Sequence, residues 1–182
     1  VETTTGPLGA GFSNGVGMAI AALMEAAQFD NPLLATRVFG IVSDGDLMEG
    51  IAQEAASLAG HLQLHNLVYL YDDNGITIEG HTDLAFSEDV PARFAALGWH
   101  VQRVDGHDFG QVRQALQAAV DEPRRPSLVC CRTTIGKGSP HKADTHDVHG
   151  APLGADEVKA TKQALGMPLE DFFVDPRARE LF

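Results

Sequence analysis

Three features of the sequence predict an α/β fold built on a doubly wound parallel sheet with helices on both faces. Four apolar runs of strand length, at 36–42, 67–71, 99–104 and 127–133, alternate with stretches whose apolar residues recur at helical spacing. The first two runs stop abruptly at Ser43-Asp44-Gly45-Asp46 and at Asp72-Asp73-Asn74-Gly75, polar turns of the kind that follow the carboxyl end of a buried strand. Between successive runs there is room for a crossover helix, which parallel pairing requires and antiparallel pairing does not.

Taken in order, the chain enters at Thr3-Thr4-Thr5-Gly6-Pro7-Leu8-Gly9 with no strand to feed it, and its first residue is Val1 rather than Met. It therefore reads as a piece of something longer. A helix over 13–28, N-capped by Ser13, is apolar on most sides, which predicts burial with Met18 and Met24 as core filler. Asp30-Asn31-Pro32 ends it, and the strand over 36–42 follows. The helix over 49–62 places 51, 55, 58, 59 and 62 on one apolar face. After the strand over 67–71 comes a polar connection at 80–89, then a helix over 90–97 that ends at Gly98. The strand over 99–104 leads to Asp105-Gly106-His107-Asp108, where Asp108 is placed to N-cap a helix over 109–120 rather than to hold a ligand. Pro123 and Pro126 punctuate the approach to the last strand, over 127–133. A Gly/Pro/His loop at 135–154 is longer than structureless loops usually are without a function. A helix over 155–165 completes a domain of residues 1–166. The tail at 167–182, with exposed Phe172, Phe173 and Phe182, leads toward a further domain.

Composition narrows the class. With 182 residues, 44% of them hydrophobic and 21% charged, the chain can bury one sizeable core. No apolar stretch approaches the ~20 residues of a membrane span. Cys130 and Cys131 are adjacent in an apolar run, poorly placed to bridge each other, and read as free buried thiols in a reducing, cytoplasmic compartment. A net charge of −12 excludes nucleic acid and anionic membrane as partners. An anionic substrate needs local positive charge, and one segment offers it: Arg124, Arg125, Arg132, Lys137, His141, Lys142, His146 and His149.

The strand ends carry the most specific chemistry. Asp44 offers a hard anionic oxygen, Gly45 lets backbone approach a ligand, and Asn74 offers an amide oxygen one helix and one strand later. With the backbone carbonyl of Ile76, these suit Mg²⁺ holding a diphosphate, since Mg²⁺ takes one or two protein oxygens and completes its octahedron with phosphate and water. Each turn by itself is equally a common turn signal. Likewise Gly6-Pro7-Leu8-Gly9-Ala10-Gly11 reads either as a backbone passing close to a ligand or as a tight loop capping a helix. Three histidines in the 135–154 loop could ligate zinc, but no Cys or helical His pair completes a tetrahedral set.

The Asp44-Gly45 turn, the helix opening at Leu47-Met48-Glu49-Gly50 and the later Asn74 resemble the thiamine diphosphate motif in its transketolase form. The likeness extends to TTTGPLGAGFSNGVGMA, to EAASLAGHLQLHNLVYLYDDNGITIEGHTDLAFSEDV and to TTIGKGSPHKADTHDVHGAPLG, in transketolase order over nearly the whole chain. Ser43 departs from the glycine usual there. The resemblance implies thiamine diphosphate and Mg²⁺ as cofactors, with Ca²⁺ or Mn²⁺ as substitutes, and sugar phosphates as substrates in a two-carbon ketol transfer. It makes Gly6 and Leu8 cofactor contacts beside Asp44, Gly45 and Asn74, and brings His149 of His-Gly-Ala-Pro-Leu to the diphosphate and substrate. Glu49 matches a glutamate that meets the activating glutamate of a pyrimidine-binding domain across a subunit interface, in a homodimer or hetero-oligomer. No segment remains here for that domain, so this chain alone is expected to be inactive. The rival readings are a cofactor-binding module without chemistry, one subunit of a two-chain transketolase, and another thiamine enzyme such as a 1-deoxyxylulose-5-phosphate synthase. The run His149 to Gly154 argues against the last.

Overall fold

A computed structural model describes residues 1–181. Its centre is a four-stranded, all-parallel sheet of β1 (Val38–Ser43), β2 (Leu67–Asp73), β5 (His100–Asp105) and β6 (Ser127–Arg132), ordered β1-β2-β6-β5. A two-stranded hairpin, β3 (Ile76–Thr77) with β4 (Gly80–His81), leads from β2 into the polar connection at 80–89. In register across the sheet, Ser43 pairs with Asp72, and Asp72 with Cys131. The carboxyl ends of β1, β2 and β6 therefore lie side by side, which is where ligands bind in open parallel sheets.

The helices are α1 (Ala10–Gln28), α2 (Asp44–Met48), α3 (Gly50–His61), α4 (Val90–Ala96), α5 (Phe109–Asp121), α6 (Ala155–Ala164) and α7 (Pro176–Leu181). Residues of α1, α3 and α4 pack with Val42, Leu67, Tyr69, Tyr71, Leu128 and Cys130 in the larger core. On the other face, Ala115 and Ala119 of α5 pack on Val68, Val129 and Cys131. Because strand side chains alternate, the neighbours Cys130 and Cys131 enter opposite cores and cannot bridge. Burial raises both thiols, that of Cys130 to about 12, so they remain protonated. Phe12 stacks on Tyr69 with ring centroids 4.5 Å apart, and Trp99 packs edge-on to Phe94 at 5.0 Å. The Tyr69 hydroxyl donates to the Phe12 carbonyl at 2.7 Å, pinning the start of α1 to the sheet.

Several expectations need correction. Helix α1 starts at Ala10, so Ser13 lies inside its first turn and bonds the Gly9 carbonyl at 3.0 Å instead of capping the end. Met18 and Met24 are exposed, and the buried side of α1 is Phe12, Gly15, Val16, Ala19 and Ala22. On α3 the buried residues are Ala52, Ala56 and Ala59, while Ile51, Leu58 and Leu62 are exposed. The cause is close approach: α1 and α3 meet through small side chains, so the large ones are turned outward. The helix predicted over 49–62 is α3, with Glu49 as its N-cap and Leu62 as its C-cap; not expected was the separate short α2 before it, set off by Glu49 extended at ψ 138°. The Leu47 carbonyl, which a continuous helix would spend on residue 51, accepts from Gln53 and Arg93 instead. The tail contains α7, with Phe172 and Phe173 exposed as expected; Phe182 lies outside the described residues. Asp108 caps α5, accepting from the Gly110 and Gln111 amides at 2.8 and 3.1 Å.

Candidate functional site

The turn after β1 begins α2, and Asp44 is its first residue, 3% exposed. Its carboxylate is held from both sides. Oδ1 accepts from the Tyr71 hydroxyl, and Oδ2 accepts from the Gly75 amide at 3.3 Å. That second bond joins the β1 turn to the β2 turn. Gly75 lies at φ +72°, a conformation that favours glycine and aims its amide back at Asp44. Asn74, 7% exposed, accepts from the Ile76 amide at 2.9 Å through Oδ1 and donates to Asp72 at 3.0 Å through Nδ2. Asp44, Asn74 and Ile76, expected as one group, are thus brought together.

Burial raises the Asp44 carboxyl above its usual range, and the negative charges of Asp73 and Asp72 push in the same direction. The same burial and the bond to Asp44 raise Tyr71, whose hydroxyl therefore remains a donor. A buried carboxylate beside two others, with an amide oxygen adjacent, is a hard-oxygen set that a divalent cation would neutralise. These residues fit Mg²⁺.

The Gly6–Gly9 loop lies against this turn. The Gly9 amide donates to Asp46 Oδ1 at 3.0 Å, while Asp46 Oδ2 accepts from the Ser43 amide at 3.1 Å. Asp46 therefore clamps the loop to the end of β1. Gly9 is at φ +74°, and a Cβ there would stand 2.8 Å from Glu49 Cβ, so only glycine lets the loop pass. A Cβ on Gly45 would instead meet Leu8 at 3.4 Å, ordinary contact. Leu8 itself is 54% exposed, Gly6 is exposed, and Glu49 is exposed at the α2–α3 break.

His149 stands apart. It ends a short 3-10 turn at His146–Val148, is exposed, and has no ring hydrogen bond among the described residues. The rest of its loop is anchored to α6: Glu157 accepts from the Ser139 hydroxyl, from the His141 amide at 3.0 Å and from His141 Nδ1 at 2.9 Å. These donors hold the Glu157 carboxyl down to about 2. The basic segment is largely consumed locally. Arg125 pairs with Glu122, Arg132 with Asp73, and Lys142 donates to the Leu153 carbonyl. In this loop, His146 is exposed and lies 3.7 Å from Asp147, and His149 and Lys137 are exposed with no side-chain partner among the described residues. Sequence reasoning missed Tyr71 and Asp72, which bond the predicted ligands Asp44 and Asn74, and Asp46 and Thr133, which bond Gly9 and Asp72; the acidic run Asp72-Asp73 and the capping-box spacing of Ser43 and Asp46 were the available signals.

A cavity of about 1560 Å³ lies between β1 and α5, bordered by Phe39, Ile41, Phe109 and Leu116 and reaching Asp46. Its lining joins this apolar sheet face to the polar side chains of Arg37, Arg113 and Gln117.

Residues 1–180 match the family model described as transketolase, thiamine diphosphate binding domain. The chain is 56% identical over 170 residues to transketolase 2 of Xanthobacter flavus, covering 91% of this chain and 25% of that protein. It is 54% identical over 178 residues to the chromosomal transketolase of Cupriavidus necator, covering 96% and 27%. Among solved structures, transketolase from Leishmania mexicana superposes with a TM-score of 0.94 at 41% identity, over 100% of this chain and 28% of that one. A Pichia stipitis transketolase in complex with sedoheptulose-7-phosphate does so at 0.91 and 45%, over 97% and 27%. The chain thus spans about a quarter of the length of the relatives it matches.

Proposed function

The chain belongs to the transketolase family, as its thiamine diphosphate-binding domain, and on that footing we propose that it holds the diphosphate and metal end of a two-carbon ketol transfer from a ketose phosphate to an aldose phosphate. The observation that carries this reading is the bond from the Gly75 amide to Asp44, which closes the two strand-end turns around one hard-oxygen set. Asp44, Asn74 Oδ1 and the Ile76 carbonyl are the residues that would hold Mg²⁺, with Ca²⁺ or Mn²⁺ as substitutes. When bound, thiamine diphosphate supplies the electron sink for the carbanion chemistry. The protein's share is placement. Asp46 fixes the Gly6–Gly9 loop, Gly6 and Leu8 line the cofactor, and the amide of Gly45 faces the same space. His149 meets the diphosphate or the substrate phosphate, where an exposed imidazole with no partner among the described residues can donate or accept.

Glu49, exposed on the surface beside Gly9, faces a pyrimidine-binding domain supplied by another part of the protein or another subunit, in a homodimer or hetero-oligomer. Residues 1–166 form the cofactor domain, and 167–182 lead out of it. Among the described residues no helix is long and apolar enough to cross a membrane. Two buried free thiols fit a cytoplasmic enzyme of the pentose phosphate pathway.

The test is calorimetry of thiamine diphosphate binding with and without Mg²⁺. Asp44→Ala should abolish the Mg²⁺-dependent part of the binding, and undiminished binding would refute the assignment.

A further inference from the structure

Asparagine is an ambiguous metal ligand. Its side chain ends in an oxygen that can bind a cation and an amino group that cannot, and the two are nearly identical in shape. At Asn74 the surroundings remove the ambiguity. Nδ2 donates to Asp72 Oδ2 at 3.0 Å, and Oδ1 accepts from the Ile76 amide at 2.9 Å. Turned over, the amide would set an oxygen against a carboxylate and an amino group against an N–H, two repulsions in place of two hydrogen bonds. Asp72 is itself fixed. Its Oδ1 accepts from the Thr133 hydroxyl, and its backbone sits in register between Ser43 and Cys131. A carboxylate only accepts, so it can receive the amino group and nothing else.

We propose that Asp72 is a positioning residue for the metal: it selects the orientation of Asn74 that presents Oδ1, and Thr133 at the end of β6 holds Asp72 in place to do so. This rests on the reading of Asn74 as a metal ligand. It also ties the metal site to β6, the strand from which the loop carrying His149 departs. Groups that orient a ligand without touching the metal commonly account for about 10- to 100-fold in affinity.

The experiment titrates Mg²⁺ into the intact protein with thiamine diphosphate present, reading the Mg²⁺ dissociation constant and the melting temperature separately. Asp72→Leu should weaken Mg²⁺ binding by about 10- to 100-fold, with full cofactor binding recovered at saturating Mg²⁺. Asp72→Asn can still accept from Asn74 through its own oxygen, so it should lose distinctly less. Equal losses in the two variants would mean that only the charge of Asp72 matters and would overturn the proposal. So would an affinity within twofold of wild type in Asp72→Leu, or a lowered melting temperature with the Mg²⁺ constant unmoved. If Asp72→Leu fails to fold, Asp72→Ala reads the same loss with less added volume. Adding Asn74→Asp, whose two oxygens need no selection, should shrink the effect of Asp72→Leu; a pure charge effect would persist or grow. Asp44→Ala separates the two levels: if it binds Mg²⁺ like wild type the metal reading itself fails, and if it alone loses binding only the role of Asp72 does.

Discussion

At the strand ends, Asp44, Asp72 and Asn74 are buried or half-buried, and every polar atom of their three side chains has a hydrogen-bond partner. In the loop after β6, His149 is exposed and its ring has no partner among the described residues, although the loop around it is tied down by Glu157. The two regions illustrate different ways of holding a functional group. In the first, the chain itself fixes the geometry, and the cost is a buried charge. In the second, the backbone is anchored and the side chain is left for whatever arrives, so the group contributes little to the fold. Substitutions should therefore separate stability from function in opposite directions in the two places.

The largest effect is expected at His149. In the complete enzyme His149→Ala should lower turnover about 100-fold, the scale of one well-placed polar group in a transition state, while the melting temperature stays within a few degrees. Steady-state kinetics with a thermal melt decides it. A collapse of stability with little kinetic effect in the folded fraction would place His149 with the strand-end group and erase the contrast.

A smaller effect of opposite sign is expected at Asp44. Burial holds its carboxyl above its ordinary value of 3.8. As pH rises, the unfolded chain loses this proton first, so the native state binds more protons across the window and its stability falls. Above the native value the cost is fully present; below 3.8 it is absent. Asp44→Asn should accordingly raise the melting temperature at neutral pH without added Mg²⁺, and the gain should fade on acidification below about pH 4. Tyr71 can accept from the new amino group while Gly75 still donates to its oxygen, so the pairing survives. A melting temperature that falls would show the carboxylate to be stabilising and the region not to be held at a cost.

The contrast also shows how much of the molecule can be read from its sequence. The strand ends were legible because Asp-Gly and Asp-Asp-Asn-Gly turns interrupt strong apolar runs, and the cap at Asp108 because capping chemistry is local. Only part of the buried face of α3 was, since the hydrophobic pattern gives Ala59 but also Ile51, Leu58 and Leu62, which are exposed, whereas helix–helix approach buries Ala52 and Ala56 beside Ala59. The short α2 before Glu49 leaves the Leu47 carbonyl to Arg93, far along the chain, at 3.1 Å, a partner that no local pattern names. Within the candidate site, the ligand residues carried a spacing signature. Tyr71 and Thr133 act through contacts between elements that no local pattern encodes, while Asp46 joins a local capping box with Ser43 to a distant bond from Gly9.

The smallest effect is expected where the second region is anchored. Glu157 collects three hydrogen bonds from the 135–154 loop, which hold its carboxyl down to about 2, against an ordinary value of 4.5. A depressed acid contributes stability that is present above the unfolded value and lost as pH falls through the folded one. The anchor is therefore complete at neutral pH and is released between about pH 4.5 and pH 2. Glu157→Gln replaces the carboxylate by an amide that can accept through only one atom, so the loop should lose part of its hold at neutral pH without a change in the core. Hydrogen exchange of amides 136–149 should quicken severalfold in the variant, while amides of β2 and β6 exchange as in wild type. The wild-type loop should approach the variant's rates as pH is lowered toward 2, after correction for the intrinsic pH dependence of exchange. If exchange in the loop is unchanged, the anchor lies elsewhere, and the exposed histidine is held by something other than the backbone around it.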